Sequence, residues 1–293
     1  MRFIFYVIKA KKLMIMAAAA VSIIISGIIG TINAIPAGTD EYKAEVIVIM
    51  YHGFLKDKTL QNEYMIDPAY FESDLKYLTE NGFHTMFASE LSEYVEKCEP
   101  VPEKTVILTF DDGYLNNYTY AYPLLKKYSC KAVISPIGKA ADDAENEQYR
   151  SSAYSQCKWS ELEEMRSSGF VELQNHTYNM HTIINGIRGA EQRNNEKKEM
   201  YIKRLSSDLL RFNKRMQEET GCVPEALTLP FGAGGEAAVA AAKELGFRMV
   251  FDCEEKINYI SSTDDLFHIH RFLRPNNKSS EEYFGNILKL QDN

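Results

Sequence analysis

From residue 45 onward, short apolar runs recur along the chain, each separated from the next by a stretch with helical spacing. "EVIVIMYH" (45–52), "FHTMF" (83–87), "TVILTF" (105–110), "KAVISPIG" (131–138), "FVELQN" (170–175), "ALTLP" (226–230), "FRMVFD" (247–252) and "LFHIHRF" (266–272) read as strands. "TVILTF" is apolar throughout, the pattern of a parallel strand covered on both faces. Asp67-Pro68 supplies an N-cap and a first-turn proline to a helix in which Phe71, Leu75 and Leu78 share a face and Gly82 ends the run. Further helices are predicted over 89–98, capped by Ser89, and over 117–128, 160–169, 235–246 and 280–290. Residues 190–219 read as one long charged helix with a stripe of Met200, Leu205, Leu209, Phe212 and Met216. Seven or eight βα units in about 250 residues make an α/β fold, either an open doubly wound sheet or a barrel. No dinucleotide fingerprint follows the first strand, and "FGAGG" (231–235) lacks the Lys-Ser/Thr of a phosphate loop. The expectation is a distorted (β/α) barrel of about seven units, in one catalytic domain over residues 45–293.

The first 35 residues follow another rule. Arg2, Lys9, Lys11 and Lys12 precede an uncharged run over 13–30. As a helix, that run is about 27 Å long, just enough to cross a bilayer. "TINA" (31–34) ends in a small residue where cleavage could follow. Residues 1–35 therefore read as a signal peptide or an N-terminal membrane anchor. Either reading keeps the basic flank inside and puts the remainder outside the cytoplasm, secreted or anchored. The formal net charge is −8, and −12 without the four N-terminal basic residues, which argues against a nucleic-acid partner. The five cysteines are odd in number, widely spaced and lack a C-x-x-C pair, so neither a disulfide framework nor a cysteine zinc site is expected.

In an α/β barrel the chemistry sits at the carboxyl ends of the strands. Those ends carry His52, then Asp111-Asp112, then His176 and His181, then Pro230-Phe231-Gly232. His176 and His181 are five apart, about 140° apart on a helix, so they converge only in a loop. With one carboxylate they would make a three-ligand set that leaves open positions for water and substrate. Adjacent aspartates at a strand end point different ways. One can bind a cation while the other faces a water on that cation, and the cation offsets their repulsion.

"TFDDG" (109–113), "HTYNMH" (176–181) and "LPFG" (229–232) resemble the successive motifs of the polysaccharide deacetylases, the NodB-homology group or carbohydrate esterase family 4. The resemblance covers about residues 45–290 and implies a NodB-type barrel. It implies that Asp111 is the general base, that Asp112, His176 and His181 hold a divalent metal, zinc by preference, and that the Phe231 N–H helps hold the oxyanion. Three features depart from the commonest pattern. The histidines are five apart rather than four, Thr228 stands where an arginine is usual, and no clear C-terminal acid motif is present, "LFHIH" (266–270) being a partial candidate. All three are similar to the poly-N-acetylglucosamine deacetylase subgroup, in which an early "YH" supplies the acid; here that is His52 in "MYHGF" (50–54). Arg271 is the more family-like residue near the C-terminus, while His84, His268 and His270 read as structural.

Aromatic residues near strand ends, Tyr51, Tyr114, Tyr178, Phe231 and Trp159, could stack on sugar rings, Tyr114 and Tyr178 above all. The resemblance thus implies metal-dependent removal of acetyl groups from an N-acetylglucosamine-containing polysaccharide. The alternatives are an O-acetyl polysaccharide esterase and an inactive glycan-binding relative. Membrane contact is expected only through the N-terminal segment, and the oligomeric state is not legible.

Overall fold

The computed structural model describes residues 44–290, and the signal or anchor segment read over 1–35 lies outside them. Among the described residues no helix is long and apolar enough to cross a membrane. Strand β1 (Ala44–Tyr51) lies parallel to β2 (Thr105–Asp112), with Ile47 beside Val106 and Tyr51 beside Phe110. β2 continues to β3 (Ala132–Pro136), and β3 to β4 (Val171–Leu173), all parallel. A second parallel pair joins β5 (Ala226–Thr228) to β6 (Met249–Phe251). β7 (Phe272–Leu273) returns to the free side of β1. Continuous ladders do not close this ring. Single parallel bridges, Asn175 to Leu227 and Phe251 to Ile269, span the two joints, so seven parallel positions follow one another around a distorted barrel.

Alternate residues of the strands feed two apolar clusters, as the period of two demands. Val46, Val48, Ile107, Val133, Met249, Phe251 and Ile269 pack on one face, closed by Met86, Leu91 and Val95. Ile47, Ile49, Val106, Leu108, Ala132 and Ile134 pack on the other, with Phe71, Leu75 and Leu78. Those last three lie on α1 (Pro68–Glu80), whose N-cap Asp67 accepts from Ala69 N–H at 2.9 Å. A buried charged node then ties α1 to the chain that follows β7. Arg274 donates to both oxygens of Asp74 at 2.7 and 3.0 Å, while Tyr51 and Ser280 donate to the same carboxylate at 2.9 and 2.6 Å.

Several boundaries differ from the sequence reading. Helix α2 (Ala88–Glu96) has Phe87, not Ser89, at its N-cap, because the Glu90 carboxylate accepts the Phe87 N–H and Ser89 turns to Glu172. Helix α3 (Tyr122–Tyr128) is entered through a π-helical turn, Asn117–Ala121. α4 (Gly138–Ala144) follows β3, and α5 (Trp159–Ser167) precedes β4. The long charged helix is α6 (Lys198–Thr220); residues 190–197 lie outside it, pinned where Arg204 grips Glu196. Its apolar stripe starts at Tyr201, four residues before Leu205, and Met200 is exposed. α7 (Gly235–Glu244) and α8 (Ser280–Leu288) complete the helices. The stretch 266–272 is not one strand. The Asp265 carboxylate accepts the N–H groups of Ser261 and Ser262 and bends the chain into a short turn before β7. All five cysteines are free thiols; Cys130 and Cys157 are buried and Cys98 is exposed.

Candidate active site

β2 is buried through its last residues, Asp111 and Asp112. The chain then reverses sharply, with Asp112 at φ 68° and Gly113 at φ 77°. A Cβ at position 113 would lie 2.6 Å from Cβ of Pro136, so only glycine lets this turn press against β3.

The two carboxylates face different partners. Asp111 takes both arms of Arg271, Nη1 donating to Oδ1 at 2.7 Å and Nη2 to Oδ2 at 2.9 Å. Arg271 is fully buried, and its Nε donates to the carbonyl of Asp252 at 2.7 Å. Burial pushes the Asp111 carboxyl up, but the guanidinium outweighs it and holds the group well below the usual carboxylate range. Asp112 instead turns its Oδ1 to two imidazoles, 3.4 Å from Nε2 of His176 and 3.3 Å from Nε2 of His181.

His176 leaves the end of β4. Its Nδ1 lies 2.9 Å from the carbonyl of Thr228, which can only accept, so Nδ1 carries the proton and Nε2 is the nitrogen offered to Asp112. Burial disfavours charging this ring, but Asp112 and Asp111 outweigh burial and raise it, whereas burial leaves His181 lowered. Thr228, which stands where an arginine is usual in the commonest pattern, thus serves through its carbonyl; its hydroxyl pairs with Ser135 at 2.8 Å.

One oxygen or nitrogen from each of Asp112, His176 and His181 lies within 4.8 Å of the others. The 3.3 and 3.4 Å separations match the edge of a tetrahedron with bonds of ~2.1 Å, about 3.4 Å. Asp112 Oδ1 and His176 Nε2 are buried without a hydrogen-bond partner, an arrangement that a shared divalent cation satisfies. The donor set fits such an ion.

His52 follows β1. Its carbonyl accepts from Asn117 Nδ2 at 2.7 Å, and its ring packs against Tyr64 with centroids 4.7 Å apart. Burial lowers its pKa from 6.5, partly offset by the charges of Asp111 and Asp112. Phe231 stands across the site at φ 58°, its ring 4.4 Å from that of His181 and 37% exposed. Asp112, Thr177 and Phe231 are all non-glycine residues in the left-handed region, so three loops of the site hold strained backbone.

The aromatic residues divide. Tyr114 is half-buried beside Asp112, which together with burial raises its phenol. Tyr178 is not free to meet a sugar. It is 3% exposed, Arg211 lies 3.8 Å over its ring, and its hydroxyl donates to Asp142 at 2.9 Å. Tyr51 and Trp159 are buried in the core, their polar atoms on Asp74 and Asp142. His84 is exposed, and His270 turns to Asp252 at 3.0 Å.

Other positioning residues carried no sequence signal. Asn116 accepts the Phe54 N–H at 2.9 Å and, with Asn117, ties the His52 loop to the segment after Asp112. α6, which reads from sequence as a charged helix with an apolar stripe, holds the histidine loop. Asp208 accepts the N–H groups of Tyr178 and Asn179 at 2.7 and 3.0 Å, and Asn213 accepts from Asn175 at 2.7 Å. Asn175 in turn accepts the Thr177 N–H at 2.7 Å.

Comparison with known proteins bears on this geometry. The polysaccharide deacetylase family profile matches residues 99–250, just over half of the chain. That span holds Asp111, Asp112, His176, His181 and Phe231, and leaves out His52 and Arg271. A poly-beta-1,6-N-acetyl-D-glucosamine N-deacetylase of Escherichia coli is 26% identical over 266 residues, covering 84% of this chain and 39% of its own. This chain therefore spans about two fifths of that relative's length. A Staphylococcus aureus protein of the same description is 26% identical over 256 residues, covering 85% of this chain and 79% of its own. The solved structure of a de-N-acetylase from Aggregatibacter actinomycetemcomitans superimposes with a TM-score of 0.70 at 26% identity, covering 83% of this chain and 99% of that one.

Proposed function

The chain belongs to the polysaccharide deacetylase family, and from that premise we propose that it hydrolyses the acetamido groups of an N-acetylglucosamine-containing polysaccharide outside the cytoplasm. The observation that carries this reading is the division of labour at the end of β2: Asp112 shares one point with His176 and His181, while Asp111 is kept apart by Arg271. We assign a divalent cation, zinc by its nitrogen and oxygen donors, to Asp112, His176 and His181. When bound, the cation supplies Lewis acidity, polarising the acetyl carbonyl and making water a stronger acid.

Asp111 takes the proton of the attacking water. Its bond to Arg271 keeps it ionised at every working pH, at the cost of basicity, so it is matched to an acidified water rather than to a bulk one. The carbonyl carbon becomes tetrahedral, and the Phe231 N–H donates to the developing oxyanion. His52 delivers a proton to the sugar nitrogen as the carbon–nitrogen bond breaks, giving acetate and a free amine. The N-terminal basic and apolar segment agrees with export, and the acidic chain with a carbohydrate rather than a nucleic-acid substrate.

The test is acetate release from defined N-acetylglucosamine oligomers. Release by the wild type that stops with chelator and returns with zinc supports the reading; chelator-resistant release contradicts it. Asp111→Asn should lower turnover by roughly 10²–10⁴, and a variant as active as the wild type removes the base assignment.

A further inference from the structure

Two neighbouring asparagines follow Asp112, and the fold uses them unequally. Asn116 is bonded at both ends of its amide: Oδ1 accepts the Phe54 N–H at 2.9 Å, and Nδ2 donates to the carbonyl of Ser152 at 3.0 Å. Asn117 is bonded at one end. Its Nδ2 donates to the carbonyl of His52 at 2.7 Å, while its Oδ1 is buried without a donor. Turning the amide over would set oxygen against that carbonyl, so the carbonyl fixes which end is which. The residue is fully buried, where an acceptor left unmade is costly. Asn117 also opens the π-helical turn, in which the Tyr122 N–H reaches back to the Asn117 carbonyl. Wide turns of this kind recur at functional sites.

His52 has the complementary need. Its Nδ1 is buried and has no partner. The two unpartnered atoms thus belong to residues already joined by a hydrogen bond. Oδ1 of Asn117 can only accept, and Nδ1 of His52 donates whenever it carries a proton. The acid role decides when it does. Once Nε2 has given its proton to the sugar nitrogen, the neutral ring keeps the other proton on Nδ1, and that N–H faces inward. We propose that Asn117 is a positioning residue for the acid: its Oδ1 accepts from Nδ1–H of His52, directly or through one water, and so keeps Nε2 for the sugar nitrogen. The assignment rests on the deacetylase reading for what Nε2 meets. An amide suits the task, because it fixes the tautomer as a carboxylate would but adds no charge to hold the departing proton on the ring.

The experiment uses the full chain loaded with zinc. It is compared with Asn117→Leu, which keeps the volume and removes both bonds, and with Asn117→Asp, which keeps an acceptor and loses the donor to the His52 carbonyl. The tautomer of His52 is read from its imidazole nitrogen chemical shifts at about pH 8, where the ring is neutral, with His52→Ala to assign the signals. Nδ1–H in the wild type and in Asn117→Asp, moving toward Nε2–H in Asn117→Leu, is the expected result. In kinetics, Asn117→Leu should lose roughly 10–100-fold in kcat on N-acetylglucosamine oligomers, part of the ~10²–10⁴ that general acid catalysis supplies, with KM within about threefold of the wild type. Its hydrolysis of an aryl acetate, whose phenolate leaves without a proton, should stay within about threefold, with zinc content unchanged. Nε2–H in the neutral wild-type ring overturns the proposal. So does an Asn117→Leu variant that keeps full oligomer turnover or loses ester and oligomer turnover alike. The wild-type and Asn117→Asp spectra carry the test where Asn117→Leu does not fold. An Nδ1–H tautomer that depends on position 117, beside a wild type that releases no acetate, refutes the deacetylase reading and leaves the bond to Asn117 standing.

Discussion

Asp111 and Asp112 are adjacent and chemically identical, and their neighbours make them different. Arg271 claims one and two imidazoles claim the other. His52 makes a sharper pH prediction. Its pKa is lowered below 6.5 by burial, and a general acid acts only while protonated, so its contribution is full below that pKa and lost as pH rises through it. With zinc saturating, kcat/KM should fall on the alkaline side with a midpoint below about 6.5, and His52→Ala should lack that limb. A wild-type profile flat from pH 6 to 9 would remove the acid assignment. At this scale much of the site was legible, because a pair of aspartates after a buried strand and two histidines at another strand end are rare without a shared ion. Arg271 as the partner of Asp111 was not, since 160 residues separate them. Tyr178 was misread because proximity to a motif says nothing about which way a side chain turns.

Elements position these residues, and α6 matters most. Asp208 and Asn213 do not touch the cation ligands, yet they fix the loop that carries both histidines. Asp208→Ala should weaken zinc affinity by about 10–100-fold with helix content unchanged, as read by a competition titration with a chromophoric chelator; unaltered affinity would show that the loop holds itself. The same helix pins residues 190–197 through Arg204 and Glu196, whose carboxyl Arg204 holds at about 2 against an ordinary 4.5. A lowered acid stabilises the fold above its unfolded pKa and ceases to do so as pH falls through the folded value. Glu196→Gln should therefore cost about 0.5–1 kcal/mol at pH 7 and markedly less near pH 2, in urea melts at both pH values. The helical register of α6 was legible from its periodicity, but its start was not. Polar residues 190–197 satisfy a helical pattern equally well, but Glu196, bonded to Arg204 and to the Arg193 N–H, sits in a turn before the helix starts at Lys198.

The described residues, 44–290, form a ring of parallel strands with the candidate site at one rim, and the alternation of β and α runs made that architecture readable. The two joints closed by single bridges were not, because hydrogen-bond register between distant strands leaves no periodic trace. Asp74 and Arg274 join α1 to the chain after β7. Asp74→Ala leaves a buried guanidinium unpaired and should cost roughly 3–5 kcal/mol in chemical denaturation; a loss under 1 kcal/mol would mean that Arg274 reaches solvent. The central claim is that Asp112, His176 and His181 share one divalent cation while Asp111, paired with Arg271, is left off that cation to act as base. It is tested most directly by metal content after dialysis against trace zinc. One zinc per chain in the wild type and in Asp111→Asn, and almost none in Asp112→Asn, is the predicted result. Zinc retained by Asp112→Asn, or lost from Asp111→Asn, would contradict it.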